Sequence, residues 1–262
     1  MDSGVCCHNR EIIRRSNDLP HLRTSAIICS VKSHGEHGAV VRSLTPENGL
    51  VTGYVRGAHS RVMRPILIPS NVVQADYRAR TADQLASMTA ELQLSRGAFL
   101  GEPLASAALD WVTALTAAVL PEEHSYPQLH SALSALLDAI CSAPSAKGWS
   151  LALVRYELLL LSELGFGLTL DKCAVTGSAD DLVYISPKSA TAVSAFAGQE
   201  YKERLLPLPA FLKEPVTPEW DDIFDGLRVT GFFLKRHFFE DRRRDVMAAR
   251  SVLVDRLKRV VA

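Results

Sequence analysis

No two cysteines in this chain stand at metal-knuckle spacing. The five present, Cys6, Cys7, Cys29, Cys141 and Cys173, form no C-x-x-C pair, and Cys6 and Cys7 are adjacent. So few cysteines in 262 residues exclude a disulfide framework and fit a reducing compartment. No apolar run is long enough to span a bilayer, and the opening MDSGVCCHNREIIRR lacks the apolar centre of a signal peptide. These absences point to the cytoplasm. Net charge is missing as well. Lys+Arg and Asp+Glu both number 29, so a surface for nucleic acid must come from local segregation of cations. Three catalytic signatures are absent: the phosphate-cradling G-x-x-x-x-G-K-[ST], the nucleophile elbow G-x-S-x-G and the zinc-protease H-E-x-x-H. His34, Glu36 and His37 in HGEHG form a polar turn rather than a metal cluster, and the adjacent Asp180 and Asp181 point apart. No catalytic residue is assigned, no metal ligand is assigned, and no cofactor is expected.

What is present is a change of texture along the chain. With 47% hydrophobic residues, a packed core is within reach. Residues 1–23 are basic, with Arg10, Arg14, Arg15 and Arg23, carry no periodicity and read as a flexible extension. Residues 24–98 read as a small β-barrel. SAIICSVKS is the first strand, and Gly35 and Gly38 turn the chain by tolerating positive φ. AVVRSLT, the hairpin turn PENG and LVTGYVRGA follow, with Gly53 marking a bulge. ILIPSNVVQADYRAR is a fourth strand, long or broken near Pro69, and QLASMTAELQLSR is a fifth. Five antiparallel strands with a long loop after the third is the count of an OB-fold, although periodicity alone leaves an SH3-like barrel open.

Residues 99–262 read as a helical domain. Leu104, Ala108, Leu109, Val112, Leu115 and Val119 share one face, as do Leu129, Leu133, Leu136, Leu137 and Ile140. SLALVRYELLLLSELG is apolar nearly all round and is expected to be buried. DLVYISPKSATAVS is a hairpin inside an insertion at about 171–198, LLPLPAFLKEPVTP is an extended connector, and two helices close the chain. The fold class is therefore α+β: an N-terminal OB-fold barrel, then a mainly α-helical domain with a small β-hairpin insertion.

Charge does segregate in the barrel. Lys32, Arg42, Arg56, Arg61 and Arg64, with His59, outnumber the nearby Glu36 and Glu47. The densest stretch is RGAHSRVMR, where Gly57, Ala58 and Ser60 would let a phosphate backbone approach the Arg forks. The plainer reading is a charged, solvated hairpin edge. Only Tyr54 and Tyr77 are aromatic here, which favours backbone contact over base stacking. A second cluster, Lys235, Arg236, Arg242 and Arg243, joined by Arg244 and Arg250, is either a second DNA contact or a solvated helical face. Arg228, Lys235 and Arg242, seven apart, would share one stripe if a single helix ran that far. Cys29, in an apolar strand, reads as a small core residue.

The run AIICSVKSHGEHGAVVRSLTPENGLVTGYVRGAHS resembles the N-terminal domain of the RecO recombination-mediator family. RYELLLLSELGFGLTLDKCAVTG, YISPKSATAV and VTGFFLKRHFFEDRRRDVMAARSVLVDRL are similar to later stretches of that family, in the same order, so the resemblance covers Ser25 to Arg259. It implies binding of single- and double-stranded DNA, annealing of complementary strands, and help in loading RecA onto DNA coated by single-strand-binding protein (SSB). It also implies RecR and RecF as partners and the SSB C-terminal tail as a ligand, with no bond made or broken. Many members carry two C-x-x-C pairs that hold zinc. Here Cys173 stands at the first position, Thr176 at the second, and no cysteine falls in Ser194–Ala197, so a zinc-less variant is expected, its hairpin held by Leu182, Tyr184 and Ile185. Two rival readings are a protein-binding OB-fold adaptor without DNA contact, which a gel shift with bare oligonucleotides separates, and a metal-dependent nuclease, which a cleavage test with Mg²⁺ separates.

Overall fold

The computed structural model describes residues 21–81, 84–122, 124–240 and 244–261. Five strands close a barrel: β1 (His21–His34), β2 (Gly38–Thr45), β3 (Gly49–Arg56), β4 (Val72–Arg78) and β5 (Ala86–Leu94). Their order around the barrel is β1-β2-β3-β5-β4, with β4 returning to β1 and β3 running parallel to β5. This is the OB-fold order. Strand β1 begins at His21, ahead of the Ser25 expected from sequence, because His21–Arg23 pair with Asp76–Arg78 of β4.

Side chains alternate between the barrel interior and a second core outside it. Ala26, Ile28, Ala39, Val41, Val55, Val73, Ala75, Tyr77 and Met88 fill the interior. Ile27, Cys29, Leu44 and Leu50 face the other way and join the core of the helical domain. A bulge between Ile28 and Ser30 resets the alternation, so that Val31, not Ser30, turns back toward the interior. Gly53 is not a bulge. Its strand pairs with β2 without a register break, and a Cβ there would lie 2.7 Å from Met88 Cβ and 3.0 Å from the Tyr77 ring. Gly53 is needed for interior space. Gly35 does take a positive φ in its turn. Gly38 does not: a Cβ there would collide with the Tyr54 ring, which lies across it.

The stretch from 66 to 71 is not strand. Ala58 and Leu67 are buried in the barrel core, with Met63 and Ile66 packed against it, so the β3–β4 connection plugs one end of the barrel. The Asn71 side-chain amide pins that plug by donating to Pro65 O (3.0 Å) and Ile66 O (3.1 Å). A positive φ at Ser70 then turns the chain into β4.

Three helices follow: α1 (Pro103–Val119), α2 (Pro127–Ser142) and α3 (Ala146–Glu163). Proline opens both α1 and α2, where its missing N–H costs nothing. The expected faces are buried at Ala108, Leu109, Val112 and Leu115 on α1, where Leu104 and Val119 at the two ends are only half-buried, and at Leu129, Leu133, Leu136, Leu137 and Ile140 on α2. The insertion forms a three-stranded sheet of β6 (Leu182–Ile185), β7 (Ala192–Ser194) and β8 (Leu206–Pro207), with a short helical turn, α4 (Ala195–Gly198), after β7. Helix α5 (Trp220–Leu234) runs on into a π-helical turn over Lys235–Phe239, and α6 (Arg244–Val261) packs on α1. Among the described residues, no helix is long and apolar enough to cross a membrane.

Inside the helical domain Glu157 is fully buried and fully used. It accepts from Trp111 Nε1 (2.7 Å), Arg250 Nε (3.1 Å) and Nη2 (2.9 Å), and the Thr230 hydroxyl. Arg250 Nη2 also donates to Leu227 O at 2.7 Å. Gly231 leaves room for that guanidinium, since a Cβ would stand 2.3 Å from Arg250 Nη1. One ion pair thus ties together α1, α3, α5 and α6.

Candidate nucleic-acid interface

The plugged end of the barrel gathers most of the barrel cations. Lys32 and Arg56 flank the β1–β2 turn, since Lys32 pairs with Val40 and Arg56 with Gly38. The plug docks on that turn when Ala58 N donates to His37 O (3.0 Å), which sets His59 beside it. Arg61 and Arg64 follow on the same connection. All five side chains, Lys32, Arg56, His59, Arg61 and Arg64, are exposed. Among the described residues, none of Lys32, Arg56, Arg61 and Arg64 makes an ion pair. Tyr54 lies half-buried at this end with His34 against its edge, ring centroids 6.0 Å apart. Tyr77, the other barrel aromatic, is 3% exposed inside the barrel, and burial pushes its hydroxyl up to about 12. It has no face to offer a base.

Arg42 stands apart from this set. It lies on the barrel wall that the helical domain covers, donating to Ala117 O and to Glu122 Oε1 (3.3 Å). Thr52 Oγ1 meets the same carboxylate at 2.6 Å. Arg42 therefore joins the two domains, with both terminal nitrogens engaged. Arg96 does the same elsewhere, bonding Ser70 O and Asp138 Oδ1 (2.5 Å).

The C-terminal cluster divides similarly. Lys235 and Arg236 are exposed on the π-helical turn, but Arg236 Nη1 donates to Pro187 O on the β6–β7 hairpin. Arg250 is buried on Glu157. The proposed contacts Arg242 and Arg243 lie outside the described residues. The 3.6-residue spacing that relates Arg228 to Lys235 does not continue through the π-helical turn over Lys235–Phe239, and Arg242, the third member of the expected stripe, lies outside the described residues.

At the insertion, Cys173 is 3% exposed. Its sulfur accepts from Val175 N (3.5 Å) and Ser194 N (3.4 Å) and lies 3.6 Å from Ser194 Oγ. Burial raises this thiol, but hydrogen bonds from Thr176 and the Ser194 and Val175 backbone outweigh it and bring it to about 6. One sulfur beside two hydroxyl residues, Thr176 and Ser194, does not fit a structural zinc site, which takes four nitrogen or sulfur ligands. Metal analysis of the purified protein is expected to give far less than one zinc per chain; a tightly held equivalent would overturn this. Leu182 and Ile185 are buried and Tyr184 is half-buried across Gly198, so packing holds the hairpin. Cys29 is a core thiol, pushed up to about 12 by burial.

Helix α3 is not buried all round. Leu151, Ala152, Arg155 and Leu159 line a groove of about 280 Å³ with Ala132, Ala135 and Leu136 of α2. Its walls are apolar, and Arg155 is exposed at its edge. The uniform hydrophobicity of this helix concealed the groove, because it marks both the face packed against α5 and the face left open.

The closed five-strand barrel, its cation-bearing end and the appended helical domain define an OB-fold protein with a separate α-helical module. Two family models match it in chain order. One, described as recombination protein O N terminal, covers residues 20–95, and one described as recombination protein O C terminal covers 100–245. The chain belongs to the RecO family. It is similar to the DNA repair protein RecO of Caulobacter sp. (strain K31), 42% identical over 88% of this chain and 95% of that protein. That of Rhodospirillum centenum is 41% identical over 89% and 93%, and that of Bradyrhizobium sp. (strain ORS 278) is 41% identical over 89% and 94%.

Proposed function

We propose that this protein is a DNA-binding recombination mediator that anneals complementary single strands and helps load RecA onto SSB-coated DNA. The observation that carries the reading is the barrel end, where Lys32, Arg56, Arg61 and Arg64 are exposed and without carboxylate partners among the described residues. Cations so placed hold phosphates without reading sequence. Neutralised strands no longer repel each other, which is what annealing requires. His59 adds a hydrogen-bonding group to the same end, and Lys235 with Arg236 offers a second, smaller contact. No bond is made or broken in this role.

The apolar α2–α3 groove with Arg155 at its edge suits a short acidic, apolar peptide such as the SSB C-terminal tail. RecR and RecF are the other proposed partners. A labelled tail peptide is expected to bind the intact chain, and Arg155→Glu to weaken it by about tenfold or more, the size of one charge-assisted contact reversed. Equal binding by both proteins would remove the groove from the reading. The test of the whole function is annealing of complementary strands coated with SSB. Acceleration by the protein is expected, and no acceleration would refute the role.

A further inference from the structure

The plug carries one side chain that the phosphate-contact reading leaves without a task. Val62 is 70% exposed, between Arg61 and Arg64, which are themselves exposed. A single exposed valine is common on protein surfaces. What distinguishes this one is how firmly it is presented. Ser60 N donates to Gly57 O (3.0 Å), Arg64 N to Ser60 O (3.0 Å), and Met63 N to the Ser60 hydroxyl (3.2 Å). Leu67 N then bonds Met63 O at 2.9 Å. Met63 packs toward the barrel core, with Ala58 and Leu67 buried in it on either side. The turn is fixed from below, so its neighbour Val62 is directed outward.

A β-branched side chain adds stiffness, since its χ1 is restricted. The result is a rigid, exposed apolar knob on a turn that also carries Arg61 and Arg64, neither of which has an ion-pair partner among the described residues. The charges on that turn select its ligand: a polyanion whose phosphates meet the arginines and which also offers apolar surface. A nucleic-acid strand has both, because its bases stack along a phosphate backbone. Apolar side chains inserted between base steps by duplex-binding proteins partially unstack them, and the same physics applies to a stacked single strand.

We infer that Val62 is a wedge. When a single strand lies along Arg61 and Arg64, Val62 enters between neighbouring bases and opens their stack. Bases held apart with their pairing edges free are ready for a complementary strand. This inference rests on the proposed DNA contact at the barrel end and adds to it a residue that acts on bases, not phosphates.

The test uses the full chain and a single-stranded oligonucleotide containing 2-aminopurine, whose fluorescence rises when it is unstacked. Saturating protein is expected to raise that fluorescence about twofold or more, with base contacts as the source. Val62→Ser is expected to bind with the same salt dependence and similar affinity, yet to lose most of the rise and to anneal about fivefold more slowly. Val62→Ile, which keeps a β-branched apolar side chain, should retain both. If Val62→Ser keeps the full rise and the full annealing rate while binding remains salt-dependent, the wedge is wrong and the phosphate contact stands. If the unsubstituted protein does not bind the oligonucleotide, both fall together.

Discussion

Changing Arg56, Arg61 and Arg64 together to alanine is expected to lower affinity for single-stranded DNA by on the order of 10²-fold near physiological salt. The physical basis is counterion release. Each phosphate neutralised on a single strand contributes about 0.7 to the slope of log affinity against log salt, so three lost contacts should flatten it by about 2. These arginines are exposed and have no carboxylate partners among the described residues, so removing them should leave the fold intact. Arg42→Ala provides the contrast. Its guanidinium is engaged by Ala117 O and Glu122, so its loss should loosen the joint between barrel and helices while the salt slope stays the same. Fluorescence anisotropy over a salt series measures both variants. An unchanged slope in the triple variant would remove the barrel end as the DNA contact, and a flattened slope in Arg42→Ala would return that residue to it.

The second large effect concerns stability. Arg250→Met is expected to cost about 3–5 kcal/mol, because it strands the Glu157 carboxylate in the interior without its compensating charge. Glu157 has 0% exposure, and its remaining partners, Trp111 and Thr230, are neutral donors. Adding Glu157→Gln should recover a large part of that loss, since no net charge then remains buried. Urea unfolding, followed by circular dichroism, measures both. A loss below about 1 kcal/mol for Arg250→Met would mean that the pair does not hold α6 to the bundle. Leu253 and Leu257, both at 0% exposure, would then carry α6 by packing alone.

Much of this architecture was legible in the chain. Alternation and turn residues located the five strands, and helical spacing identified the buried face of α2 residue by residue and four of the six residues expected on that of α1, while missing the buried Trp111. Cys29 was readable as a core thiol from its apolar strand. The missing cysteines at the insertion were visible as letters. The ordered motifs were enough to suggest the family that the comparisons then established. The RGAHSRVMR stretch was readable as a concentration of cations, and the structure presents Arg56, His59, Arg61 and Arg64 on the surface.

Other features could not be read locally. Arg42 read as one more cation of the barrel, but the outside of the barrel is solvent at one end and the helical domain along another wall. Only the packing of α1 and the segment after it against β2 and β3 decided which. The apolar run ILIP had the composition of a strand, yet Leu67 turns into the barrel as a plug and Asn71 holds it there. Hydrophobicity all round α3 could not show that α2 stops short of covering it and leaves the groove at Arg155. Arg250 looked like one more member of a basic cluster, and its burial against Glu157 depends on a residue 93 positions earlier. Most elements, the buried face of α2 and the family were readable from the letters, because those follow from short-range periodicity and from motifs in order. The tertiary structure alone decided which cations are free and which are spent, because a charge is freed or engaged by groups distant in the chain.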